Sequence, residues 1–123
     1  MEGAVRDLSC LLAFFSVTRR YGVLDRIANA LGVEQALAAL YDAMRVYQST
    51  CFSEGGPGRG DEEKGCRACD DPHRVLDRVR RRVDELARMV GEGRVDEVLT
   101  VLRAAATRAL AYAPPTPAGQ SQA

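Results

Sequence analysis

The chain has 123 residues, a length that suits one domain able to bury a modest core without obligatory staples. Its 46% hydrophobic and 28% charged content fits an ordinary soluble globular protein, and its apolar runs are too short and too often broken by charge to span a bilayer. Seventeen basic side chains balance seventeen acidic ones, which argues against a protein that coats nucleic acid through bulk charge.

MEGAVRD places no basic segment before the first apolar run, and LLAFF is not followed by a small-residue cleavage site, so a cytoplasmic protein is expected. In that reducing compartment four cysteines favour free thiols or metal over disulfides, hyperthermophile cytosols being the known exception. Charge is unevenly distributed. Residues 51–73 are mainly acidic, whereas residues 74–94 are rich in arginine.

Val5, Leu8, Leu11, Leu12 and Phe15 recur at helical spacing, so a first amphipathic helix is predicted over 4–20. Arg19 and Arg20 then sit at its negative end, and Tyr21-Gly22 stops it. Phe14 and Phe15, being adjacent, are not expected to share one core. Val23, Leu24, Ile27, Ala28 and Leu31 give a short second helix ending at Gly32. Val33, Ala36, Leu37, Leu40, Tyr41, Met44 and Tyr47 mark a third, from 33 to about 50.

After a glycine-rich loop, Asp71-Pro72 supplies a helix start: the carboxylate can cap free backbone N–H groups, and proline lacks the N–H that would otherwise go unpaired. Leu76, Val79, Val83, Leu86 and Val90 follow at alternating steps of three and four, ending at Gly91 and Gly93. A fifth helix is predicted over roughly 95–112. Its Ala105, Ala106 and Ala109 would permit close approach to the fourth, so these two are expected to form an antiparallel hairpin. No strand is predicted. The fold class is therefore all-α, a small bundle of about five helices forming a single domain over 1–113, with an inserted Gly/Cys-rich loop at 51–71 and a disordered tail at 114–123.

The inserted loop carries the one chemical constellation. Cys66 and Cys69 have CxxC spacing, His73 follows, and Cys51 lies upstream, so the four could hold a structural zinc with no open coordination position. The alternative is a loose loop with incidental thiols or a single disulfide. A thioredoxin-like role lacks the preceding strand, GGPGRGDEEKG lacks the glycine-lysine-serine or threonine ending of a phosphate-binding loop, and His73 is the only histidine available to a catalytic relay. No enzyme is expected.

Arg74, Arg78, Arg81, Arg82 and Arg88 lie away from the apolar face of the fourth helix and could contact successive phosphates. Asp77, Asp84 and Glu85 are spaced to pair with several of them, which would make the same face a solvated lattice of ion pairs. Tyr21, Tyr41 and Tyr47 could stack on bases, although aromatics at helical spacing usually belong to a core or its rim.

Two resemblances bear on function. LDRIANALGVEQALAAL, residues 24–40, has the cadence of a helix-turn-helix, but its recognition positions would be Glu34, Gln35, Ala38 and Ala39, a poor set for approaching phosphates. FFSVTRRYGVLDRIANALGVEQALAALYDAMRVY, residues 14–47, together with RAAATRALAYA at 103–113, resembles the small-subunit family of archaeal type I-A CRISPR interference complexes. The features matched are an aromatic pair, a tyrosine, and an aspartate-arginine dipeptide before an alanine-rich helix. That resemblance implies a helical, non-catalytic subunit that packs beside other subunits of a crRNA-guided ribonucleoprotein and helps handle target DNA in the R-loop. It transfers no binding residue. Where members of that family can carry a small β-rich insertion, this chain has the Cys/His-containing loop. The expected partners are those subunits and, weakly and without sequence preference, DNA or a crRNA–DNA hybrid; self-association is a further expectation. The alternative is a helix-turn-helix transcriptional regulator.

Overall fold

The computed structural model describes residues 2–53 and 71–111 of the chain. Five helices and no strand occur among these residues: α1 (Glu2–Val17), α2 (Tyr21–Ala28), α3 (Val33–Ser53), α4 (Pro72–Gly91) and α5 (Val95–Leu110). The all-α class read from periodicity is correct.

The main departure from the sequence reading concerns α1. Instead of offering one apolar face, it is buried at Ala4, at Asp7 to Ser9 and at every position from Leu11 to Ser16. A helix covered on all sides belongs to the interior, and α1 indeed contacts all four other helices. Phe14 and Phe15 therefore both enter the core, each 1% exposed. Their rings meet edge to face at 4.9 Å, and Phe14 makes a second edge contact with Tyr47 of α3 at 5.3 Å. Adjacent residues point about 100° apart on a helix, which is no obstacle when neighbours stand on several sides.

Helix α1 also ends earlier than predicted. The Arg19 N–H donates to the Ser16 carbonyl at 3.1 Å and the Arg20 N–H to the Phe15 carbonyl at 2.7 Å, with Arg19 at φ 62°. This is a Schellman closure, which satisfies the last helical carbonyls by one left-handed residue. Arg19 and Arg20 thus lie beyond the last turn, and Tyr21-Gly22 opens α2 instead of terminating α1.

Helices α2 and α3 contribute Leu24, Ile27, Ala36, Ala39, Leu40, Ala43 and Tyr47 to the core. An exposed bridge joins them, Asp42 accepting from Arg26 at 3.2 Å and from Arg45 at 2.6 Å. The start of α4 is as predicted: Pro72 stands in the first turn, and the Asp71 carboxylate accepts from the Arg74 N–H at 3.3 Å. Its end repeats the closure seen in α1, the Gly93 N–H reaching the Val90 carbonyl at 3.0 Å and the Arg94 N–H the Met89 carbonyl at 2.9 Å. Here the left-handed residue is Gly93, at φ 85°.

The α4–α5 pairing needs correction. The two helices touch, but α4 packs chiefly on α1, and α5 chiefly on α1 and α2. The apolar face of α4 broadens accordingly to Val75, Leu76, Val79, Val83, Leu86 and Met89, with Val90 only half-buried. Ala105, Ala106 and Ala109 are fully buried as expected, the close approach serving mainly α1 and α2. Arg108 pairs with Glu2 at 2.9 Å, and Arg103 donates to the Ala30 carbonyl, tying α5 to the start of α1 and to the α2–α3 turn.

Candidate nucleic-acid interface

The outward side of α4 separates the five arginines singled out from sequence. Arg74, Arg78, Arg81 and Arg88 are exposed and recur at i, i+4, i+7 and i+14, which places them on one strip opposite the buried face. Arg74 pairs with the capping Asp71 at 3.3 Å. Among the described residues Arg78, Arg81 and Arg88 make no ion pair.

Arg82 differs. Its Nε donates to Asp7 Oδ2 of α1 at 2.8 Å, and its Nη1 donates to Glu85 Oε1 at 3.1 Å. Both Arg82 and Asp7 are largely withdrawn from solvent. The hydrogen bond to Asp7, followed by that to Glu85, raises the Arg82 pKa above its already high ordinary value. This guanidinium is therefore occupied in holding α4 to α1. Of the three carboxylates expected to neutralise the arginine face, Glu85 alone does so, and with Arg82; Asp77 and Asp84 make no ion pair among the described residues.

Beside the arginine strip lies a feature that sequence reasoning does not reach. Gln48 and Phe52 from α3 and His73, Leu76, Asp77 and Arg80 from α4 line a pocket of about 200 Å³. The Phe52 and His73 rings stand 4.6 Å apart, tilted by 44°. The i, i+4, i+7 spacing of His73, Asp77 and Arg80 is a signal visible in the sequence; that the end of α3 comes alongside is not.

The loop cysteines do not bear out a free-thiol reading where they can be followed. Cys51 is fully buried and disulfide-bonded, and Cys10 of α1 is disulfide-bonded too. A disulfide sulfur is not the thiolate that zinc requires, so in this state Cys51 is not a ligand. Cys66 and Cys69 lie outside the described residues, while His73 packs against Phe52 at the surface. Among the described residues no group of three or more histidine, cysteine or acidic side chains is arranged to hold a metal ion.

The helix-turn-helix positions also diverge. Glu34, Gln35 and Ala38 are at least partly exposed, but Ala39 is fully buried and Gln35 is used to accept the Leu31 N–H at 2.9 Å. Tyr21 and Tyr41 are partly exposed, whereas Tyr47 is core.

Residues 11–68 match the family model of CRISPR-associated protein (Cas_Csa5). Over that stretch, just under half of its length, the chain is similar to this family. It is the small-subunit family of type I-A interference complexes, the one that residues 14–47 resemble. The match runs from the middle of α1 through α3 and ends before α4 and α5, so the arginine strip lies outside it. The comparisons with characterised proteins and with solved structures give no match. Nothing in them supports a helix-turn-helix regulator. No helix among the described residues is long and apolar enough to cross a membrane.

Proposed function

We propose that the protein is a non-catalytic small subunit of a crRNA-guided interference complex, assisting target DNA binding through phosphate contacts from Arg78, Arg81 and Arg88. The match of residues 11–68 to the CRISPR-associated family supports the setting. The observation that carries the residue assignment is the division of α4, in which Arg82 is locked against Asp7 while three arginines on the outer strip have no carboxylate partner among the described residues. Such side chains neutralise phosphate without reading bases. With net charge zero the isolated subunit binds weakly, and its contacts matter once neighbouring subunits hold it beside the strand.

The test is reconstitution of the complex with the wild-type subunit or with Arg78→Gln, Arg81→Gln and Arg88→Gln combined. The expected result is unchanged assembly with weakened target binding, spread evenly over target sequences. Equal affinity of the two complexes would refute the assignment.

A further inference from the structure

The α3–α4 pocket is not used by those phosphate contacts, and its chemistry is not that of a phosphate site. We propose that it receives one unstacked nucleobase from a single strand lying along α4. This rests on the reading of α4 as a nucleic-acid surface.

Four observations converge on a base. At about 200 Å³ the pocket is smaller than the roughly 300–1,000 Å³ clefts that enclose drug-sized ligands, and suits a single flat ring system. Phe52 and His73 bring two aromatic rings to its lining, the residue type on which bases stack without regard to sequence. Gln48 can donate to and accept from a base edge, and the Asp77 carboxylate accepts only. Asp77 would repel a phosphate placed in the pocket and would welcome an exocyclic amine, so cytosine, adenine and guanine are favoured over thymine and uracil. Finally, each α4 residue that carries polar chemistry into the pocket is followed in sequence by a member of the arginine strip: His73 by Arg74, Asp77 by Arg78, Arg80 by Arg81. A backbone running along the arginines would present its bases to the pocket, with Arg80 at the boundary. A cationic protein side chain could also meet Asp77 and the rings, but Arg80 and the adjoining arginines disfavour it.

The intact, isotope-labelled protein titrated with cytidine 5′-monophosphate, uridine 5′-monophosphate and ribose 5-phosphate at millimolar concentration tests this by amide chemical shifts. Cytidine monophosphate should move Gln48, Phe52, His73 and Asp77, uridine monophosphate should do so more weakly, and ribose 5-phosphate should leave them still. Phe52→Ala, made in a side chain already partly exposed, should weaken the cytidine response about tenfold, the lower part of the range for removal of a base–aromatic stack. Phe52→Leu, which keeps apolar bulk, should weaken it as well. Absence of any response at the pocket, or an equal response to ribose 5-phosphate, would overturn the proposal. So would failure of subunit assembly in the Phe52 variants without any nucleotide response, since the pocket would then be a protein contact. Salt-dependent binding of a single-stranded oligonucleotide, measured alongside, reports separately on the arginine strip: it can persist when the pocket fails, and vanish when the pocket responds.

Discussion

Two residues that end helices in the same way show how much one side chain can reveal. Arg19 and Gly93 each occupy the left-handed position of a Schellman closure, at φ 62° and 85°. Glycine adopts this conformation without steric cost, whereas a residue with a Cβ is strained by about 1 kcal/mol. Arg19→Gly should therefore stabilise the protein by about 0.5–1 kcal/mol in urea unfolding; a destabilised variant would mean that the arginine side chain contributes contacts of its own. Arg82 makes the opposite case. Removing it leaves the Asp7 carboxylate, 10% exposed, without its cation. Arg82→Ala should cost about 2 kcal/mol, against under about 0.5 kcal/mol for Arg78→Ala, and the loss should shrink when Asp7→Ala is combined with it. Additive losses would show that the pair is not coupled. Sequence spacing finds Glu85 three residues from Arg82, but it has no means of finding Asp7, 75 residues away. Local partners are legible in a sequence and distant ones are not.

At the scale of elements, the five helices are readable because apolar periodicity and end signals agree. Asp71-Pro72 and Gly93 act where the sequence places them, through a cap and a left-handed turn. What periodicity cannot state is which helix lies at the centre. Spacing alone reads LLAFF as one face plus an odd phenylalanine, when it is a segment enclosed by four neighbours. The same limit misassigns the partner of α4, since adjacency in sequence suggests α5 while the packing favours α1. The consequence is measurable. Phe14, wedged against Phe15 and Tyr47, should cost about 3–5 kcal/mol on truncation to alanine, an effect as large as that of any core residue. A loss below about 1 kcal/mol would contradict the central position given to α1.

At the scale of the whole molecule, no single feature specifies the task. The candidate site is half legible in the sequence: the arginines of α4 are visible as a group, but not their division into one structural clamp and an outward strip, nor the pocket that α3 completes. A CxxC and a histidine satisfy a zinc pattern whether or not their thiols are free; of the three cysteines in that pattern Cys51 is disulfide-bonded, while Cys66 and Cys69 lie outside the described residues. What remains is a helical scaffold that fixes one arginine of α4 against its interior and leaves the outer strip of the same helix cationic. The most direct check is the salt dependence of target DNA binding by the assembled complex. Replacing Arg78, Arg81 and Arg88 by glutamine should flatten the slope of log affinity against log salt by about 2–3, roughly 0.7–0.9 for each phosphate no longer neutralised. A slope identical to that of the wild-type complex would mean that these arginines touch no phosphate.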